Sequence, residues 1–487
     1  VLVYERLLGG LRSYTVARIL TQAISWSGTV FVVRRLDSHA FGLFGMSLVA
    51  YNFLSMIYDG TLTETLVQHE LAEPRERRAA FTLLVLLGLL TTATMVVLAL
   101  AVSRLEREPA VAPLAMALSA GLMANALAVV PHAQLLRTMQ FERLAVIASI
   151  QAVVTTVTTV GLAAAGAGVW ALVVGMVAGI VVRTVGLNIV MPSLLRPTRD
   201  LRGTWGFLRF GGLLFVDNLL WRWYISLDTF LLGRWAGATS LGFYSLAQQL
   251  ADLPLEKITT IVNDVSLPAY AQLRGDRPRA ATLMLETLRT HATVGFPLFW
   301  GLAAVAPLVV PLLFGPKWND AVLPLMALSA VAPLRLIGSI ETPAMTGIGS
   351  PAALLRSKSI LVPGMTVALA VGAWVYGIRG AALAWLLAFP ILYGCAFRPV
   401  LRAIGLSYGQ VFAVVRGPAA AAALMFGIVY ITDRLVSPNT ATAVLSLLLE
   451  VVLGAAIYFV SLAMLDRNAF LLARDRAGRL VGMPASK

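Results

Sequence analysis

Polar residues recur at helical spacing inside long apolar runs, and that placement limits the chemistry they can do. A helix turns about 100° per residue. Tyr14, Arg18, Gln22, Ser25 and Thr29 therefore fall on one line, and so do Asp217, Trp221, Tyr224 and Asp228. Arg222 lies part of the way round from that second line. Ser47, Tyr51, Asn52, Ser55, Tyr58 and Asp59 share a broad face, as do Ser245, Gln248, Asp252, Glu256, Thr259 and Asn263. Arg335, Ser339, Thr342 and Thr346 form a further line. An ionised side chain at the centre of a bilayer costs about 3 kcal/mol, so such stripes must face a polar cavity or one another.

The residue types say what such a cavity would hold. Arg18, Arg222 and Arg335 carry guanidinium groups matched to phosphate or carboxylate. Trp221 and Tyr224, with the neutral Gln22, Asn52 and Gln248, suit sugar rings. Asp217 completes the candidate substrate cavity. Asp59, Asp228, Asp252 and Glu341 are candidate carboxylates for coupling to protons or sodium. No catalytic constellation emerges. The chain has no G-x-x-x-x-G-K-[ST] phosphate loop, so ATP hydrolysis by that route is excluded. Cys395 is its one cysteine, which rules out internal disulfides and cysteine metal sites, and the four histidines have no metal-ligand spacing. No cofactor and no metal are expected beyond a coupling ion.

The elements that carry these residues are membrane spans. Of 487 residues, 59% are hydrophobic and 13% charged, and mean hydropathy is +0.82. Apolar runs of about 20 residues recur along the chain, about fourteen in all. They centre near residues 24, 50, 91, 121, 154, 180, 221, 252, 301, 334, 367, 389, 421 and 453. The net charge of +14 does not point to nucleic acid, because the basic residues alternate with the spans instead of clustering. Connectors such as RERRAA, LLRTMQFER and AQLRGDRPR hold, with the N-terminal stretch, about 24 of the 38 Lys and Arg. The opposite set, including RRLDSHA, FGPKWND and YGIRG, holds about 8. That asymmetry places both termini in the cytoplasm. The first span is full length and carries Arg18, unlike a cleavable signal peptide.

The spans repeat. FVVRRLDSHAFGLF (31–44) and FLLGRWAGATSLGFY (230–244) align with one residue of slippage, which brings Gly42 onto Gly242. AAAGAGVWALVVG (163–175) and VYGIRGAALAWLLA (375–388) are both Gly turns followed by a small-residue helix. The expected architecture is all-α: two six-helix lobes at 1–192 and 210–405, related by an axis along the membrane normal. A cytoplasmic connector spans 193–209. Two further spans and a cytoplasmic tail occupy 406–487. The polar stripes are expected to line one water-filled cavity between the lobes. Gly175 and Gly179 form a G-x-x-x-G suited to helix packing.

Four strings carry a family resemblance: RRLDSHAFGLFGMSLVAYNFLSMIYDGTLTETLVQ (34–68), PHAQLLRTMQFERLA (131–145), LGFYSLAQQLADLPLEKITTIVNDVSLPAYAQLRGD (241–276) and TGIGSPAALLRSK (346–358). In order and spacing the chain resembles the Wzx-type polysaccharide exporters of the multidrug/oligosaccharidyl-lipid/polysaccharide flippase superfamily. The likeness is nearest to the branch of colanic-acid and xanthan-type exporters. The resemblance implies a V-shaped pair of lobes with spans 1, 2, 7 and 8 lining the cavity. It implies a cargo of undecaprenyl-diphosphate-linked oligosaccharide, moved from the cytoplasmic to the periplasmic leaflet of a bacterial inner membrane by alternating access. A polysaccharide polymerase and a chain-length regulator are the implied partners. Arg18, Arg222 and Arg335 are the positions that would meet the diphosphate or acidic sugars. The alternatives are a MATE-like drug or ion antiporter and a lipid II flippase. A membrane polymerase or ligase is a more remote one, since the longest outer connector is only about 12 residues.

Overall fold

The structure is a computed structural model describing residues 21–68, 74–195, 197–198, 200, 204–436, 443–467 and 469–471. The chain forms two compact units, Val1–Gly242 and Phe243–Lys487. Among the described residues the regular structure is helical throughout, with no strand. This is what an apolar chain must do in lipid, where each backbone N–H and C=O needs a partner within its own segment.

In the first unit α1 (21–35) leads into α2 (Ser38–Met56), whose N-terminus is capped by Asp37 Oδ1 accepting from the Ala40 amide at 2.8 Å. A π-helical turn, Ile57–Leu62, joins α2 to α3 (Thr63–Gln68). The Thr63 hydroxyl donates to the Tyr58 carbonyl at 2.7 Å and so occupies a backbone group within that wider turn. Then come α4 (Pro74–Glu106), α5 (Val111–Arg137), α6 (Phe141–Ala164) and α7 (Trp170–Val190). Helix α5 packs against α2, α4 and α7, and its Leu114, Leu118 and Leu122 are fully buried. Gly175 and Gly179 on α7 face Thr159 and Thr155 on α6. A Cβ at either glycine would lie 1.9 Å from the facing threonine Oγ1. The G-x-x-x-G is thus a packing seam inside the chain.

Helix α8 (Thr204–Gln272) has two arms that meet at Gly237, where φ is 79° and ψ 170°. Only glycine adopts that backbone readily, so this Gly-containing repeat string does bend the chain. The second unit continues with α9 (Arg277–Phe314), a 3₁₀ turn (Pro316–Ala321), α10 (Val322–Gly338) and α11 (Glu341–Gly347). Helix α12 (Pro351–Leu383) breaks at Gly377, with φ 55° and ψ −131°, inside the other expected Gly turn. A π turn (Ala384–Ala388), α13 (Phe389–Ile404), α14 (Tyr408–Val436) and α15 (Ala443–Leu465) complete it. Leu255, Phe299, Ala332 and Leu336 form a buried cluster joining α8, α9 and α10.

Nine helical stretches among the described residues have the length and hydropathy to cross a bilayer. One of them, Pro351–Ile404, is 54 residues long and holds the Gly377 break, which gives it the length of two crossings. The helices bearing the first four polar stripes, 21–35, Ser38–Met56 and Thr204–Gln272, are not among the nine, whereas the stretch Pro316–Gly347 with the Arg335 line is.

The repeated glycines touch across the first unit. A Cβ on Gly42 would lie 1.7 Å from the Ala238 carbonyl oxygen, and one on Gly242 would lie 1.7 Å from that of Ser38. In the repeat register Gly42 matches Gly242 and Ser38 matches Ala238, so the two contacts are the same contact made twice. That reciprocity is the mark of a local two-fold relation. Backbone cannot rotate away as a side chain can. Gly42→Val and Gly242→Val are each expected to cost about 1–3 kcal/mol, read as a lower melting temperature. Gly161→Ala, which meets nothing within 4 Å inside α6, should not lower it.

Candidate functional site

Asp252 and Arg335, expected on separate helices with separate tasks, form an ion pair. Arg335 Nη1 donates to Asp252 Oδ1 at 2.6 Å. Asp252 lies on the second arm of α8 and Arg335 in the last turn of α10. Their side chains are 22% and 18% exposed, so the pair is shielded from bulk water but reachable. The Arg335 guanidinium also sits over the Trp385 ring, with Cζ 5.2 Å from its centroid. Glu256, one turn beyond Asp252, lies in the field of both members of the pair. Gln248, one turn before Asp252 on the same face, is half-buried.

Local sequence explains why Trp385 is there. Pro390 has no N–H to give the carbonyl four residues back. The helix widens just ahead of it, and the Phe389 amide reaches five residues back to the Ala384 carbonyl. From Trp385 an aromatic ladder runs along α13 at four-residue spacing. Ring centroids are 5.2 Å apart for Trp385–Phe389, 5.6 Å for Phe389–Tyr393 and 5.4 Å for Tyr393–Phe397.

Tyr393 connects the ladder to a second cluster. Glu341 is buried, and its Oε2 accepts from the Ser357 hydroxyl at 2.9 Å. The Tyr393 hydroxyl lies beside the same carboxyl without an aligned hydrogen bond, and Lys358 supplies the nearest positive field. Glu341 begins α11 because Pro343 cannot bond the Ser339 carbonyl, and the helix is interrupted at Ser339–Ile340. The backbone stays right-handed through that tightened turn, and the Ser339 amide still reaches the Arg335 carbonyl at 3.1 Å.

In the first unit Tyr224 and Asp228 are buried on the first arm of α8, and Arg222 is half-buried beside them. Trp223 is 40% exposed and packs between Phe53, at 6.2 Å, and Phe230, at 6.3 Å. Asn52 is half-buried on α2, and Gln22 is exposed on α1. Arg18 lies outside the described residues, as do the side chains of Asp59, Asp217 and Trp221. The sequence stripes held Tyr51 and Tyr58 but not their partners. Tyr51 Oη accepts from Asn125 Nδ2 at 3.1 Å, and the Tyr58 and Thr91 hydroxyls meet at 2.5 Å. Trp385, Tyr393 and Ser357 were not singled out either, although the spacing of Trp385, Phe389, Tyr393 and Phe397 was visible. Glu106, also unremarked, is buried with its carboxylate against Gly233 and in the field of Arg234.

A bundle of long apolar helices, with ion-paired and aromatic groups held inside it, defines a multi-pass membrane protein. The fold is that of lipid II flippase MurJ in its inward closed conformation: TM-score 0.77, 14% identity, covering 93% of this chain and 99% of that one. An inward-facing multidrug resistance MATE family transporter of the MOP superfamily matches in fold at TM-score 0.57 and 16% identity, over 79% of this chain and 95% of that one. Residues 31–323 match the polysaccharide biosynthesis protein family, and the chain belongs to it. It is 26% identical over 346 residues to the lipopolysaccharide biosynthesis protein WzxC of Escherichia coli, covering 69% of this chain and 68% of that one. It is 26% identical over 490 residues to the succinoglycan biosynthesis transport protein ExoT of Rhizobium meliloti, covering 96% and 98%. Over 205 residues, 39% of this chain and 42% of the other, it is 32% identical to the teichuronic acid biosynthesis protein TuaB of Bacillus subtilis.

Removing one member of the pair leaves the other without its partner in a shielded place. Arg335→Ala and Asp252→Ala should therefore be non-additive, with a coupling of about 0.5–3 kcal/mol toward the lower end for partly hydrated groups. Thermal denaturation of the two single variants and the double variant measures it. Additive losses would mean that the pair carries no energy.

Proposed function

We propose that this chain moves an undecaprenyl-diphosphate-linked oligosaccharide from the cytoplasmic to the periplasmic leaflet of a bacterial inner membrane. Both termini lie in the cytoplasm, and the lipid-linked unit passes on to a polymerase and a chain-length regulator. Family membership and the transport-protein relative matched along nearly the whole chain support the cargo class. The observation that carries the reading is Arg335. A diphosphate headgroup needs a cation it can reach, and Arg335 supplies one, its guanidinium held 5.2 Å from the centroid of the buried Trp385 ring. The headgroup competes with Asp252 for the guanidinium, so cargo binding and the ion pair exclude one another.

Movement follows from the two lobes, 1–192 and 210–405, rocking about the connector at 193–209. The Gly42 and Gly242 crossing gives that motion a flat, side-chain-free contact to make and release. Arg18 and Arg222 are further phosphate contacts in this scheme. Asp59, Asp228, Asp252 and Glu341 are its candidates for proton or sodium coupling.

In cells lacking the protein and any redundant exporter, labelled lipid-linked oligosaccharide should stay on the cytoplasmic leaflet. Arg335→Ala should lower its periplasmic appearance about tenfold at unchanged protein level, the scale of one lost charge-assisted contact. Arg335→Lys should recover only part, because ammonium lacks the planar fork that lies on Trp385. Normal periplasmic arrival without the protein would contradict the assignment.

A further inference from the structure

A cavity of about 630 Å³ lies between α9, α14 and α15 in the second unit, within the range of small-molecule sites. Pro297, Leu298, Met425, Val429, Val451 and Phe459 supply much of its apolar wall. Only Thr290, Thr293, Glu450 and Tyr458 bring polar side chains to it. None of the residues lining the cavity belongs to the Arg335 and Asp252 cluster.

Glu450 is 3% exposed, and its Oε2 has no hydrogen-bond partner. A carboxylate in such surroundings demands a counter-charge or a donor. The cavity's own side chains cannot give one. The Thr290 hydroxyl donates to the Glu286 carbonyl at 2.9 Å, and that of Thr293 to the Arg289 carbonyl at 2.8 Å. The Tyr458 hydroxyl donates to the Thr293 carbonyl at 2.7 Å. Each has spent its one hydrogen, and what remains toward the cavity is acceptor. Among the described residues no lysine or arginine lines the space. The nearest other charge acting on Glu450 is Asp433, also acidic. Arg434, on the same turn of α14, is engaged with Tyr430, its Nη2 donating to the hydroxyl at 2.7 Å.

An apolar space whose free polar atoms are all acceptors, with an acid at its centre, selects a ligand with an apolar body and a cationic N–H donor. We propose that this cavity binds an amphiphilic organic amine, with its ammonium at Glu450 and its apolar part along α9 and α15. The site does not depend on the transport reading, and its test needs no transport. A neutral lipid chain would fill the same space but leave Glu450 unmet.

The probe is monodansylcadaverine, a primary ammonium on a fluorescent apolar body, titrated into the purified full chain in lipid nanodiscs. N-pentyl dansylamide serves as the uncharged match. Saturable binding of the ammonium probe is expected, weakened about tenfold or more by Glu450→Gln. Glu450→Asp, which keeps the charge, should retain most of it. Gly301→Leu should abolish binding at unchanged melting temperature, because a Cβ there meets only Met425 Cε at 3.6 Å and the longer side chain enters the cavity. Equal affinity of wild type and Glu450→Gln for the ammonium probe would overturn the proposal. Equally tight binding of the uncharged probe would also overturn it and mark the cavity as a groove for lipid chains.

Discussion

Everything in this chain answers to the absence of water around its helices. A polar group that folds into lipid-like surroundings keeps its cost unless another part of the chain meets it. The hydroxyls show the smallest form of this rule. Thr156, Thr159, Thr184 and Thr293 each donate to the carbonyl four residues back, at 2.7–2.9 Å. The irregular turns show a larger form. Where Pro343 and Pro390 cannot donate, the helices tighten or widen, and Glu341 and Trp385 sit at those places. The Arg335 and Asp252 pair is the largest, two opposite charges held together inside an apolar bundle.

The duplicated string marks a close backbone crossing that its sequence did not reveal. Its glycines are where two helix backbones come close enough to leave no room for a Cβ, and the same contact recurs in the repeat register. Charged groups flank that crossing: His39 pairs with Glu108 at 3.6 Å, and the Glu106 carboxylate lies against Gly233 in the field of Arg234. The Arg335 and Asp252 pair lies inside the second unit.

Much of the fold was legible from spacing alone. The all-helical class, the Gly breaks at Gly237 and Gly377, and the packing role of Gly175 and Gly179 follow from local chemistry. The stripes singled out Asp252 as a coupling carboxylate and Arg335 as a cavity cation, but helical phase cannot say which two stripes meet. Their pairing depends on how α8 and α10 pack. Trp385 and Ser357 escaped because each gains its place from a partner far along the chain. Tyr393 lay on a visible aromatic spacing, yet only its neighbour Glu341 gives that spacing a use.

The central claim is that this chain, unaided, carries a lipid-linked oligosaccharide across a bilayer and holds its charged head at Arg335. Reconstitution into liposomes tests that most directly. A fluorescent undecaprenyl-diphosphate oligosaccharide is placed in both leaflets, and a membrane-impermeant quencher reports the outer fraction over time. Wild-type protein should bring nearly all of the label within reach, Arg335→Ala should slow this about tenfold, and empty liposomes should stay near half. Exchange no faster with the protein than without it, or equally fast in Arg335→Ala, would contradict the account.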